Sequence, residues 1–233
     1  MTLIKSIYKV ISVYNSIMHN TVKNLIYIED LIKSKVNHDK LTQIIAVSKT
    51  FPIENILPLI EHGHLHYGEN KVQEALDKWT EIKKKNGDIK LHLIGKLQTN
   101  KVKIAIGIFD YIHSVDSEKL AIKISDEQIK QGKKPKIFIQ INIGNEEQKT
   151  GINQHNLKYF WKFCKNLNLD IIGTMCIPPN DGNTEKYFSK MSDINQTLNF
   201  KELSMGMSGD YLQAIENNAT YIRVGSKIFG SRV

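Results

Sequence analysis

The sequence predicts one α/β domain closed as a (β/α)8 barrel, and three observations carry that prediction. Eight apolar runs of strand length follow one another, helical stretches lie between them, and the alternation fits within 233 residues. Parallel strands joined by right-handed helical crossovers are the economical solution for such a pattern. Eight units in a chain of this size close a barrel. A doubly wound open sheet is the alternative.

A helical lead-in is expected over residues 1–40, where Ile4, Ile7, Ile11, Met18, Leu25, Ile28 and Ile32 fall near helical spacing. The barrel is assigned to residues 41–233, with strands over 43–48, 65–68, 91–95, 111–115, 136–143, 170–177, 202–207 and 221–225. Helices are expected over 53–61, 71–85, 97–106, 117–131, 153–166, 184–198 and 209–217. Gly and Pro punctuate the joints, and no low-complexity linker divides the chain.

Composition removes several classes. The two cysteines, Cys164 and Cys176, have no short-spacing pattern, which argues against a disulfide framework or a zinc site. Cys164 should share a helix face with Phe160 and Leu167, and Cys176 should end a strand. No apolar run is long enough to span a bilayer. The start lacks a small-residue cleavage site, and its stretch before the first acid, Glu29, contains no arginine, so neither a signal nor a transit peptide is read there. A cytoplasmic monomer is the expectation. The net charge of +8 invites a nucleic-acid reading. Almost all of that charge is dispersed lysine, however, and Arg223 and Arg232 are the only arginines, whereas groups that clamp phosphates or read bases favour the guanidinium fork. No nucleic-acid partner is expected.

In a closed barrel the loops after the strands share one rim, where ligands bind. Lys49 follows the first strand and Glu69 with Asn70 the second. His92 and Gly95 close the third, Ser114 and Asp116 the fourth, and Asn142 lies on the fifth. Alternation puts Ile45, Val47 and Lys49 on one face, so an inward Lys49 would set an amine above an apolar floor. Partial desolvation there favours the neutral, nucleophilic amine. A lysine snorkelling to the surface is the competing reading. His62, His64 and His66 alternate and raise a metal reading, but the fifth, sixth and eighth strands supply no histidine.

The loops after strands seven and eight, 204–210 and 223–230, carry the second signal. Ser208 suits an N-cap for a helix beginning near Gly209 and Asp210, and Gly225 with Ser226 lets backbone approach an anion. A lysine facing a phosphate seat fits pyridoxal 5'-phosphate, whose aldehyde would condense with Lys49. It equally fits a sugar phosphate in a lysine-dependent aldolase. Opposite a pyridine nitrogen, the fixed charge of Arg223 would oppose ring protonation and weaken the ring as an electron sink. In an aldolase it would touch phosphate.

The segments Ala46-Val47-Ser48-Lys49, Tyr67-Gly68-Glu69-Asn70, His92 through Lys101, Ser204-Met205-Gly206-Met207-Ser208 and Arg223 through Gly230 resemble the pyridoxal phosphate homeostasis proteins. They do so in unbroken order from about Leu41 to Arg232. The resemblance implies a barrel like the N-terminal domain of alanine racemase, with Lys49 holding the cofactor as a Schiff base. It further implies that Asn70, Met207, Ser208, Arg223, Gly225 and Ser226 contact the cofactor, with Arg223 at the ring nitrogen. His92 is expected beside the ring as a hydrogen-bonding group, with a general base facing the cofactor as the alternative. Ser226 stands where the family commonly has threonine, which keeps the hydroxyl, and Thr174-Met175 where it commonly has leucine-methionine. The first forty residues match only loosely.

The resemblance implies a role in vitamin B6 supply and in amino- and keto-acid balance, with apoenzymes that need the cofactor as acceptors. Racemases of this barrel type add a C-terminal β domain, whereas this sequence runs only to Val233 after its eighth strand. The cup is therefore expected to stay open to solvent, which suits holding and release better than controlled carbanion chemistry. A small barrel enzyme with racemase-like activity is the alternative.

Overall fold

The structure is a computed structural model and describes residues 18–35, 42–146 and 148–231. Eight parallel strands pair in chain order and close into a barrel. They are β1 (Gln43–Val47), β2 (His66–Glu69), β3 (Lys90–Leu93), β4 (Tyr111–Val115), β5 (Lys136–Ile141), β6 (Asp170–Cys176), β7 (Glu202–Met207) and β8 (Tyr221–Val224). β1 closes the ring by pairing with both β2 and β8, with Ile45 opposite Arg223 on the closing side. The helices are α1 (Asn20–Lys35), α2 (Ile53–Glu61), α3 (Val72–Lys85), α4 (Val102–Ile108), α5 (Glu118–Gln131), α6 (Leu157–Asn166), α7 (Thr184–Thr197), α8 (Tyr211–Glu216) and α9 (Ser226–Phe229).

The period of two decides which side chains fill the barrel. Ile44 and Ala46 pack outward against the helices, while Ile45 turns inward to meet Tyr111, Phe138, Met175 and Tyr221. Outward residues such as Ile137, Ile139 and Ile141 on β5 join the larger cluster between strands and helices. Burying a side chain of that size stabilises by about 1.5–3 kcal/mol, so this shell supplies most of the driving force.

β4 and β7 have the bounds their sequence predicts. β3 stops at Leu93 and β5 at Ile141, both two residues short of expectation. After β5 the chain turns, with Asn145 at φ +52 donating its N–H to the Asn142 carbonyl. The helix expected over 97–106 is a 3-10 turn, Thr99–Lys101, followed by α4, because Gln98 is extended. Cys164 is buried on α6 beside Phe160, and Cys176 ends β6; burial pushes both thiols up to about 12.

Of the expected lead-in helix, α1 is described, and Ile4, Ile7 and Ile11 lie outside the described residues. Val22, Leu25, Ile28 and Ile32 of α1 join the barrel's outer core. The Asn24 side-chain amide donates to the Ile228 carbonyl at 2.9 Å, which ties α1 to α9. Among the described residues no helix is long and apolar enough to cross a membrane.

Candidate functional site

A cleft of about 430 Å³ opens at the C-terminal ends of the strands. Lys49 lies in the turn after β1 and lines this cleft above Val47, while Ile45 sits in the barrel interior below, so the three residues share the inward face. The turn is pinned on both flanks. On one side the Ser48 hydroxyl donates to Glu69 Oε1 at 2.7 Å, and Lys78 Nζ donates to the Ser48 carbonyl at 3.0 Å. On the other, Thr50 at φ +66 donates its N–H to Glu74 Oε1 at 2.6 Å.

Glu69 organises this support. It is fully buried, and its Oε1 also accepts from Trp79 Nε1 at 3.0 Å and Lys78 Nζ at 3.1 Å. The expectation placed Glu69 at the rim. The structure turns it outward toward α3, where it buttresses the Lys49 turn. Nothing in the sequence pairs Glu69 with Lys78 and Trp79 except that both lie on the next predicted helix.

Asn70 lines the cleft after β2. Its backbone is held by a close approach: a Cβ on Gly95 would lie 2.4 Å from the Asn70 carbonyl oxygen and 2.9 Å from its Cα. Only glycine lets the β3 loop pass there. On the opposite wall, Met207, Ser208, Gly225 and Ser226 line the cleft together. Gly206, at φ +87, makes the exit from β7, and a Cβ on it would meet Ala214 Cβ at 2.5 Å. The β7–β8 register shifts between Ser204 and Met207, which sends Ser204 into the barrel and Met207 to the rim.

Ser208 differs from its expected role. α8 begins at Tyr211 with Asp210 as its cap, and the Asp210 carboxylate accepts from the Met207 N–H. The Ser208 hydroxyl turns instead to the neighbouring loop and accepts from the Gly225 N–H at 3.1 Å and the Lys227 N–H at 3.5 Å. Two backbone amides thus converge on one oxygen, the donor geometry an anion's oxygen requires.

Arg223 lies at the bottom of the cleft and is buried. Its Nη1 donates to Ser204 Oγ at 2.7 Å and its Nη2 to the Cys176 carbonyl at 2.9 Å, so the guanidinium is fixed in place. Burial lowers its pKa from the ordinary arginine value. Lys49, Lys96 and Arg223 all line the cleft, and no carboxylate is among its described lining residues. A lining of that charge favours an anionic ligand.

The structure does not bring His92 into this cleft. β3 ends at Leu93, so Ile94, Gly95 and Lys96 take the rim and His92 lies a layer deeper. There His92 is fully buried, its Nε2 2.9 Å from His66 Nδ1 and its Nδ1 2.9 Å from His113 Nε2. Both ring nitrogens are engaged by other histidines. His113 Nδ1 lies 2.9 Å from Ser204 Oγ, which the sequence did not mark. β2 begins only at His66, so His62 and His64 do not share a strand face with it. Asp116 and Asn142 brace the β5 loop: Asp116 Oδ2 accepts from the Gly151 N–H at 3.3 Å, and Asn142 Nδ2 donates to the Glu146 carbonyl at 2.7 Å.

Residues 29–233 match the family described as alanine racemase, N-terminal domain. The pyridoxal phosphate homeostasis protein of Aquifex aeolicus is 37% identical over 204 residues, covering 83% of this chain and 89% of that protein. Its counterpart from Haemophilus influenzae is 34% identical over 230 residues, covering 93% and 96%. PipY of Synechococcus elongatus, solved with PLP bound, is 33% identical, covers 90% of this chain and 100% of its own, and superposes with a TM-score of 0.80. An alanine racemase from Clostridium difficile, 17% identical with a TM-score of 0.70, shares the fold; the match covers 91% of this chain and 57% of that one.

Proposed function

The chain belongs to the pyridoxal phosphate homeostasis protein family, and from that premise we propose that it binds pyridoxal 5'-phosphate in the cleft described above and serves in intracellular vitamin B6 homeostasis. The carrying observation is the pairing of Lys49 with the amides gathered at Ser208 across a cleft lined by three cations and, among its described residues, no carboxylate. When bound, the cofactor would supply an aldehyde, and Lys49 is the residue that would hold it reversibly through its amine.

The chain's own residues divide the remaining work. The hydroxyls of Ser208 and Ser226 line the cleft as donors for the phosphate, and the Gly225 and Lys227 amides, which donate to Ser208 Oγ in this structure, would become available to it once that hydroxyl turned aside. Arg223, anchored by Ser204 and the Cys176 carbonyl, would present a permanent donor to the pyridine nitrogen and oppose its protonation. Asn70 and Met207 line the cleft and would bound the ring. The turn held by Glu69, Lys78 and Glu74 fixes the reach of Lys49.

The role is holding and handing on, not turnover. Proton exchange on a bound amino acid needs a second acid/base group of suitable pKa. Among the described lining residues the ionisable groups are Lys49, Lys96 and Arg223. A monomeric carrier that yields its cofactor to apoenzymes, and so influences amino- and keto-acid balance, fits this inventory.

Purified protein given pyridoxal 5'-phosphate should develop a visible absorbance band, and borohydride should fix the label on Lys49. Lys49→Ala should lose both. Transfer to an acceptor apoenzyme without steady turnover of amino acids is the expected behaviour. Sustained racemisation that disappears with Lys49 would overturn the carrier reading.

A further inference from the structure

The interior of a barrel like this one is ordinarily filled by branched apolar side chains. Here a line of polar groups runs through it. His66, at the start of β2, stands 2.9 Å from His92; His92 stands 2.9 Å from His113; His113 stands 2.9 Å from Ser204 Oγ; and Ser204 accepts from Arg223 at 2.7 Å. His92, His113 and Ser204 are fully buried, enclosed by Tyr111, Phe138 and Tyr221. An unsatisfied buried nitrogen costs about 1–3 kcal/mol, so the line persists only while each ring matches its neighbours.

That matching allows two arrangements. A neutral histidine has one donor and one acceptor nitrogen, and an arginine only donates. In the first, Ser204 donates to His113 Nδ1, His113 Nε2–H to His92 Nδ1, and His92 Nε2–H to His66 Nδ1. In the second, every bond is reversed: His66 Nδ1–H donates to His92, His92 Nδ1–H to His113, and His113 Nδ1–H to Ser204. No single ring can change alone without setting two donors or two acceptors face to face.

We propose that His66, His92 and His113 are a tautomer relay, in which one added proton reverses the line, leaves its charge on His66 at the floor of the barrel and changes how Ser204 holds Arg223 beneath the bound cofactor. The inference rests on the placement of Arg223 at the ring nitrogen proposed above. One proton is taken from water and each hydrogen of the line moves one place toward His66: Ser204 passes its hydrogen to His113 Nδ1, His113 Nε2–H passes to His92 Nδ1 and His92 Nε2–H to His66 Nδ1, while the proton from water restores the Ser204 hydroxyl, so that four N–H or O–H protons become five, two of them on His66. Ser204 then accepts from both His113 and Arg223, and its restored hydrogen lies off the His113 axis.

The charge comes to rest on His66 because it is the outermost ring. Burial lowers all three histidines, with His92 and His113 lowered furthest. His66 is faced by Lys90 and His92 on β3, Asp110 and Tyr111 at the entry to β4, Lys136 on β5, and Tyr221 on β8. On its own strand side, His64 Nε2 donates to the His66 carbonyl at 2.9 Å. The two lysines lower His66 further, and Asp110 opposes them. Lys90, Asp110, Tyr111 and Lys136, which face His66, also line an open depression at this end of the barrel.

Nitrogen-15 NMR of the imidazoles in ligand-free protein tests the relay without any variant. The His92 and His113 tautomers should invert together as His66 takes up its proton. Unchanged tautomers of His92 and His113 through that titration would overturn the relay. A second readout uses pyridoxal 5'-phosphate affinity: wild type should show a pH dependence that follows His66, and His66→Phe should bind as wild type at pH 8 but lose that dependence. A dependence retained in His66→Phe would equally overturn it. Failure of the cofactor to engage Lys49 at all would sink the proposed function, while the tautomer titration would still decide the relay.

Discussion

Replacing Lys78 by methionine should damage the protein more than any surface ion pair would. The Lys78 ammonium is nearly covered, with 12% of its side chain exposed, and it meets the fully buried Glu69 at 3.1 Å, Glu74 at 3.2 Å and the Ser48 carbonyl at 3.0 Å. Methionine fills similar space but leaves Glu69 as a buried charge without a counter-ion. Breaking one side of such a pair costs about 3–5 kcal/mol. Glu69 keeps the Ser48 and Trp79 donors at 2.7 and 3.0 Å, which places the loss at the lower end. We expect about 3 kcal/mol by urea denaturation, or roughly 6–12 °C in melting temperature. Adding Glu69→Gln removes the stranded charge while an amide oxygen can still accept from Ser48 and Trp79, so the double variant should recover at least half of the loss. A single-variant loss below about 1 kcal/mol, the worth of an exposed pair, would refute this account of the Lys49 turn.

Gly95→Ala should destabilise by about 1–3 kcal/mol in the same assay, because its Cβ would lie 2.4 Å from a backbone oxygen that has no room to retreat. Asn24→Ala should cost about 1 kcal/mol, the net worth of its bond to the Ile228 carbonyl. Acid should weaken the fold before any carboxylate titrates. Burial lowers His64 to about 4 and also lowers His66, His92 and His113, while the unfolded rings keep their ordinary 6.5. The unfolded chain therefore binds more protons in this window, so stability is whole above 6.5 and is lost as pH falls toward 4. Each ring that charges only on unfolding contributes up to about 1.4 kcal/mol per pH unit. Urea midpoints that stay level from neutrality to about pH 5.5 would contradict this.

The sequence made the rim legible because strand ends are marked by changes in polarity. Lys49 stands out as a cation closing an apolar run, and Arg223 as one of only two arginines among many lysines. Depth was harder to read. His92 was expected at the cleft because its run extends to Gly95, and the early end of β3 puts it inside instead. Alternation alone says that His66, His92 and His113 face inward, but which of them meet depends on the stagger between strands. The register shift between Ser204 and Met207 hid Ser204's part in the same way. Glu69, Lys78 and Trp79 were unreadable for a different reason: a strand end meets one face of a helix only once the barrel has curved.

The clasp between Asn24 and Ile228 joins residues 204 positions apart. Domains acquire structure as they emerge during synthesis, at about 5–20 residues per second. The ribosome delivers the Lys49 segment early, yet the amides of the proposed anion seat arrive only with β8 and α9, and their brace on α1 waits for them. On the proposed binding mode, a nascent chain would own the Lys49 amine well before it owned the donors assigned to the phosphate, and vitamin capture would follow translation of β8 and α9.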